Sequence, residues 1–284
     1  MGKMDRCHYS DLRLLLAMLC LVAVSVQPVH AQESGVGMLP RESERINSFS
    51  LSAGDLGVLD EYLSPNVYNG PVLGLVGHRT HLLKRDSSWM YSSFLKLGCS
   101  SLTGQSGIGN FQSLMLDCRL SWEKIWVNTS DFSLSAGPEA FLKFGGLYNS
   151  RNTNNPAQMK LYVAAGIAGE ASYRFKIKNY PIALGWRANL PLIGYNFAPT
   201  YALQYYEIYY FDRFGEASHF AWPGNVFAFS HQVSLSLPVG KVQLRLSYMG
   251  DYYRYNIDGL RCRMYENSCL VGIVKRIEIK YNGR

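Results

Sequence analysis

"SLMLDCRLSW", residues 113–122, alternates strictly: Leu114, Leu116, Cys118, Leu120 and Trp122 fall on one parity, Ser113, Met115, Asp117, Arg119 and Ser121 on the other. A period of two is the pattern of a β-strand with one oily and one polar face. The reading that decides the fold is which face points inward, and what solvent lies against the oily one.

The same alternation recurs along most of the chain. In 91–100, Tyr91, Leu95, Leu97 and Cys99 oppose Ser92, Lys96, Gly98 and Ser100. In 132–144, Phe132, Leu134, Ala136, Ala140, Leu142 and Phe144 oppose Ser133, Ser135, Gly137, Glu139 and Lys143. Stretches 161–175, 182–190, 227–237 and 242–248 repeat it. Ten strands are predicted, near 47–53, 71–83, 89–102, 111–126, 131–147, 159–177, 181–190, 226–237, 241–256 and 269–281. Links after the even-numbered strands are short, and those after the odd ones (54–70, 103–110, 148–158, 191–225 and 257–268) are longer. Short and long links in turn are the habit of an outer-membrane barrel with tight periplasmic turns and longer outer loops. Within 191–225, the stretch Tyr201–Phe211 leaves three choices open: an extra hairpin for twelve strands, two strands prolonged above the membrane, or a plug inside the barrel.

Composition bounds the class. Lys3, Arg6 and Arg13 precede the apolar run 14–26, and "VHAQ" offers a cleavage site after Ala31, so residues 1–31 read as a secretory signal peptide. Residues 32–46 read as a periplasmic lead-in and 47–284 as the barrel domain. After the signal no apolar run approaches the ~20 residues of a membrane helix, so a crossing must be made in strands. Charged residues are 17% of the chain, against the roughly 25% of soluble domains. Three basic and two acidic side chains lie in the signal, leaving a net +6 on the remainder with no basic tract, so nucleic-acid binding has no support. The mild positive charge suits lipid headgroups or lipopolysaccharide in the bilayer.

The direction of the oily face follows from the polar one. A soluble barrel meets water with long polar side chains, whereas this face holds Gly98, Gly137, Ala164, Gly166, Ala168, Ala183, Gly185, Ser234 and Ser236. Small residues fit the crowded concave interior of a narrow barrel. Trp89, Tyr91, Trp122, Trp126, Tyr148 and Tyr281 gather near strand ends, as interfacial girdles do. The fold class is therefore an all-β antiparallel transmembrane barrel of about ten strands, with Leu114, Leu116, Leu120 and Trp122 toward lipid.

Three segments carry a resemblance: "YLSPNVYNGP" (62–71), "PLIGYNFAPTYALQYYEI" (191–208) and "RLSYMGDYYRYNIDGLRCRMY…LVGIVKR" (245–276). The chain resembles a family of Bacteroidetes outer-membrane proteins known only as a domain of unknown function. That resemblance implies a Gram-negative outer-membrane barrel and supplies no activity. Many such barrels end on an aromatic residue; here Asn282, Gly283 and Arg284 follow Tyr281, which shifts recognition by the barrel-insertion machinery to "IEIKY" (277–281).

The candidate functional residues are the charges on the inward face: Lys96, Asp117, Arg119, Glu139, Lys143, Glu170, Arg174, Arg187 and Arg245. Pairing strands about 103–110 sets Cys99 opposite Cys118, Ser100 opposite Asp117 and Gly98 opposite Arg119. Directly opposed strand positions often hold their Cα atoms too close for relaxed disulfide geometry, which argues against a Cys99–Cys118 bond. The interleaved charges form either a polar passage for a small solute or a salt-bridged filling, and the opposite signs on neighbouring strands favour the filling. Cys262 and Cys269 enclose a predicted outer loop and are the disulfide candidate. Neither metal nor cofactor is called for. The second class is an outer-rim hydrolase of lipid or peptide, resting on hydroxyls near His78, His81 and His231, with no acidic dyad beside them. The third is a binding or adhesive role for the outer loops, where the aromatic residues of 191–225 can stack on a glycan.

Overall fold

The computed structural model describes residues 39–40, 44–83, 86–105, 107, 109–151, 156–178, 180–201, 203–239 and 242–278. The expected signal peptide and the C-terminal insertion stretch lie outside or mostly outside them. Ten long antiparallel strands close into a barrel: β1 (Glu44–Asp60), β2 (Ser64–Leu83), β3 (Asp86–Gly104), β4 (Asn110–Asn128), β5 (Phe132–Asn149), β6 (Ala157–Ile177), β7 (Tyr180–Phe197), β9 (Val226–Val239), β10 (Val242–Ile257) and β11 (Leu260–Glu278). A short β8 (Ser218–Ala221) and helix α1 (Tyr205–Tyr210) sit in the connection between β7 and β9. Each strand pairs with its chain neighbour, β11 pairs with β1 to close the ring, and β8 extends the upper part of β7. Among the described residues the ten-strand ring closes on itself, the condition hydrocarbon imposes on a strand-built span, and only the short β8 has an unpaired edge.

The alternation read at 113–122 holds residue by residue. Ser113, Met115, Asp117, Arg119 and Ser121 are buried, while Leu114 is 58% exposed and Trp122 40%. The exposed large side chains, among them Phe49, Leu51, Leu73, Leu97, Val163, Ile167, Leu184, Trp186, Val271 and Ile273, belong to the outward parity of the wall. An outward apolar belt around a closed barrel is the mark of a transmembrane barrel. Inside, small residues let the wall curve: at Gly137 and Gly166 a side chain would run into the neighbouring strand's backbone, at Trp122 and at Leu190.

Three boundaries differ from the sequence reading. β1 starts at Glu44, so 44–46 is strand rather than lead-in. Segments 54–70 and 257–268 are chiefly strand: β1 and β2 meet through 61–63, and β10 and β11 through Asp258 and Gly259. Both turn residues have positive φ, 51° and 79°, the geometry of a tight two-residue hairpin for which Asp-Gly is the usual sequence. The β3–β4 register is displaced by four residues, because Thr103 pairs with Asn110: Lys96 faces Asp117, Leu95 faces Cys118 and Cys99 faces Leu114. The displacement is even, so every side chain keeps its face.

Candidate functional site

The lumen is the candidate site, and it is filled. The start of β1, the end of β11 and the β2–β3, β4–β5, β6–β7 and β9–β10 connections share one end, here the terminal end; 198–225 marks the other, the loop end. At the loop end Lys160 on β6 lies 2.5 Å from Asp60 and donates to Gln158 (2.7 Å) and to the Tyr255 hydroxyl (3.0 Å), with Cys262 Sγ at 3.3 Å. Tyr62, Tyr201 and Tyr205 lie above this pair, Tyr62 stacked on Tyr201. Burial pushes the Tyr62 phenol up to about 12 and raises Tyr205 as well, so both stay neutral, and the Tyr205 hydroxyl accepts from the Met159 N–H at 2.7 Å.

The middle of the barrel carries most of the residues singled out from sequence. Lys143 meets Asp117 (2.6 Å) from the next strand and Asp251 (3.3 Å) from across the lumen; Arg119 lies 3.8 Å from the same Asp251. Arg119 also donates to Ser230 (2.5 Å) and Asn189 (3.3 Å), and its guanidinium sits 4.7 Å from the Phe94 ring centre. Asn189 donates to Glu139. Lys96, 2% exposed, reaches Glu266 at 2.6 Å. A charge out of water is tolerated when an opposite charge or hydrogen bonds replace its hydration: Lys143, Asp117, Asp251, Arg119, Lys96 and Glu266 have an opposite charge in reach, and Glu139 accepts from Asn189. Below this layer Val76, Phe94, Met249 and Leu270 form an apolar cluster.

Toward the terminal end Arg187 bridges Glu123 (2.5 Å) and Glu170 (2.9 Å), while Ser121 and Ser135 donate to Glu123. Arg245 is buried but stands apart from this trio, donating to Ser236 at 3.3 Å. Arg174 does not join the cluster: it is half-buried, and its guanidinium donates to the Thr129 carbonyl at the β4–β5 turn. Two cavities among the described residues of the lumen are small, about 20 Å³ beside Lys96, Asp117 and Lys143 and about 10 Å³ beside His78, Arg187 and Arg245. Each has room for a water molecule at most.

The Cys262–Cys269 bridge expected from sequence is not formed. Both thiols are free; Cys262 is buried in the lumen and Cys269 exposed on the outside. Their odd separation on one extended strand places them on opposite faces, which no disulfide can span. Of the histidines, His78 contacts the Ser92 hydroxyl at 2.6 Å inside the barrel, His81 packs on Tyr91, His231 on Tyr248, and His219 contacts the Ala198 carbonyl. Sequence reasoning missed Asp60, Glu123, Lys160, Asp251 and Glu266. The parity of Glu123, Lys160 and Asp251 already placed them inside, whereas Asp60 and Glu266 fell in stretches read as loops. Among the described residues no group of histidine, cysteine and acidic side chains is arranged to hold a metal.

A closed ten-strand wall, an outward apolar belt and a polar, ion-paired interior define a transmembrane β-barrel. Residues 14–282 match the family described as a protein of unknown function (DUF3316), and the chain belongs to that family. No curated protein matches the sequence. Among solved structures, the chain is similar to the outer membrane protease OmpT from Escherichia coli, at 8% identity over 85% of this chain and 99% of that one, TM-score 0.47. It is also similar to the translocator domain of the autotransporter NalP from Neisseria meningitidis, at 10% identity over 95% and 97%, TM-score 0.39. An outer membrane channel from Pseudomonas putida F1 aligns at 8% identity over 87% and 100%, TM-score 0.39.

Proposed function

We propose that the protein is a closed barrel of a Gram-negative outer membrane, exported with a cleaved signal peptide, that serves as a structural membrane component and not as an open pore. The observation that carries this reading is the packed lumen, where three groups of ion pairs fill the interior together with an apolar cluster on the β2, β3, β10 and β11 side, and the two cavities described among them are water-sized. A conducting barrel needs a continuous wet path, and an apolar cluster such as Val76–Phe94–Met249–Leu270 interrupts one. In this reading the terminal end faces the periplasm, and the barrel-insertion machinery and lipopolysaccharide are its partners during assembly and in the membrane. Purified protein in planar bilayers is expected to give no stepwise conductance. Discrete, reproducible channel steps would overturn the proposal.

A second reading is supported by one feature of the loop end. Tyr206, Tyr209, Tyr210 and Phe211 are exposed around α1, Tyr209 to 85%, with Tyr206 stacked on Tyr210 at 5.2 Å. Rings presented to solvent suit stacking on the apolar faces of a sugar, so the barrel would hold a glycan-binding segment above the membrane. Loss of polysaccharide binding by whole cells on Tyr209→Ser with Tyr210→Ser tests it, and binding unchanged by the pair removes it. The hydrolase reading has less: the His78–Ser92 contact lies on the lumen side, beside a cavity of about 10 Å³ that admits no lipid or peptide, and no acid lines the outer groove that His78 also borders.

A further inference from the structure

Among the described residues the outer surface carries an open groove, of about 470 Å³, across β1 to β4 near the terminal end of the apolar belt. That volume falls within the ~300–1,000 Å³ of small-molecule sites. Its floor exists because Gly77 has no side chain in a row otherwise filled by Ile273, Phe49, Leu95 and Cys118. A Cβ there would meet nothing within 4 Å, so the space lies outside the wall and not between strands. Ser93, beside Gly77 in the lining, continues the depression, and Leu95 and Leu120 form its apolar side.

The register sets a cationic group at the groove's terminal end. Asn47 is paired with Lys275 on one side and Arg79 on the other, and Arg45 lies one row further out, on the diagonal to both. Arg79 is exposed and donates from Nε to the Asn47 side chain at 3.1 Å, which holds its guanidinium at the groove mouth. The residues facing outward along these two rows are Lys275, Asn47, Arg79, Ser93 and Leu120, then Ile277, Arg45, His81, Tyr91 and Trp122, with no acid among them. Like charges on neighbouring strands repel, so three cations about one asparagine favour an anion at that point. His81, Tyr91 and Trp122 pack in series, at 5.2 and 5.5 Å, and mark the level of the membrane interface.

We infer that this groove binds one anionic phospholipid of the adjoining leaflet, its phosphate against Arg79, Arg45 and Lys275 and one acyl chain along the Gly77–Leu95 depression. The cations lie toward water and the depression runs into the apolar belt, the order in which a phospholipid presents headgroup and chain. The inference rests on the barrel's membrane placement. The test is native mass spectrometry of the full chain released from nanodiscs of phosphatidylethanolamine and phosphatidylglycerol in equal amounts. One retained phosphatidylglycerol per barrel is expected. Arg79→Gln and Gly77→Leu are each expected to cut its retention at least about tenfold, roughly 1.4 kcal/mol. Lys176→Gln, which removes an exposed cation elsewhere at the same end, is expected to leave retention unchanged. Retention unaltered by both groove variants, or cut equally by the Lys176 change, would overturn the site while the heat-shifted gel band still reports a folded barrel. Failure of the wild-type chain to enter the bilayer would instead overturn the membrane placement.

Discussion

Segments 251–268 and 198–225 both interrupt the apolar pattern, and they fold in opposite ways. The first is a hairpin whose alternation continues past the belt: Asp251, Tyr253, Tyr255, Cys262, Met264 and Glu266 point inward, while Arg254, Arg263 and Tyr265 point out. It feeds two acids into the central charge layer and is part of the wall. The second leaves the wall as α1 and a 3-10 turn, returns as β8 paired to β7, and buries Leu203, Ile208 and Ala217 against Phe197 at the end of β7. A polar stretch stays in a barrel when its inward side chains find partners across the lumen; it departs when its apolar residues can bury among themselves.

That difference can be broken by substitution. The largest effect is expected in the hairpin at Asp251, the shared partner of Lys143 and Arg119. Asp251→Asn leaves two buried cations short of an acid and should cost about 3 kcal/mol, read as a lower midpoint of the gel-mobility shift in urea. Next, Glu266→Gln withdraws the charge facing Lys96 but keeps an accepting oxygen, and should cost about 2 kcal/mol in the same assay. Replacing 205–217 with a short Gly-Ser linker should preserve the barrel and cost only about 1–2 kcal/mol, mainly from exposing Phe197. A loss as large as that of Asp251→Asn would show that the segment is as integral as the hairpin.

The smallest effect is expected where the hairpin tip meets its neighbour. Arg261 and Glu61 pair at 2.5 Å on the surface, and the arginine's hydrogen bond holds the Glu61 carboxyl below its usual value. A depressed carboxyl contributes stability above its unfolded value of roughly 4.3, and that contribution is lost as pH falls through the folded value. Because the pair is solvent-exposed, Glu61→Gln should cost no more than about 1 kcal/mol near neutral pH. The variant should converge with wild type in acid; a difference that grows as pH falls would contradict the assignment.

Much of the wall was legible because period-two alternation is a local property: each strand records its two faces in its own residues. Lys96, Asp117, Arg119, Glu139, Lys143, Glu170, Arg187 and Arg245 were placed on the inner face by parity alone. Partner choice was not legible. The sequence pairing sets Ser100 opposite Asp117; in the structure Lys96 is the direct neighbour of Asp117 on β4, yet it reaches Glu266 on β11, because the narrow lumen brings far strands within reach of a long side chain. Strand ends were also hidden: polar outward residues above the belt resemble a loop, and the Asp258-Gly259 turn signal was overlooked.

What the sequence determined by itself is the two-faced strand and the inversion of oily and polar faces, since these depend only on residue order and on composition; the count of ten is fixed only by the structure, where 198–225 adds no hairpin to the ring. What only the tertiary structure decided is which charge meets which, that Cys262 and Cys269 part to opposite faces, and that 198–225 folds beside the wall. Those outcomes depend on register and on distances across a closed ring, where residues remote in sequence share one dry interior.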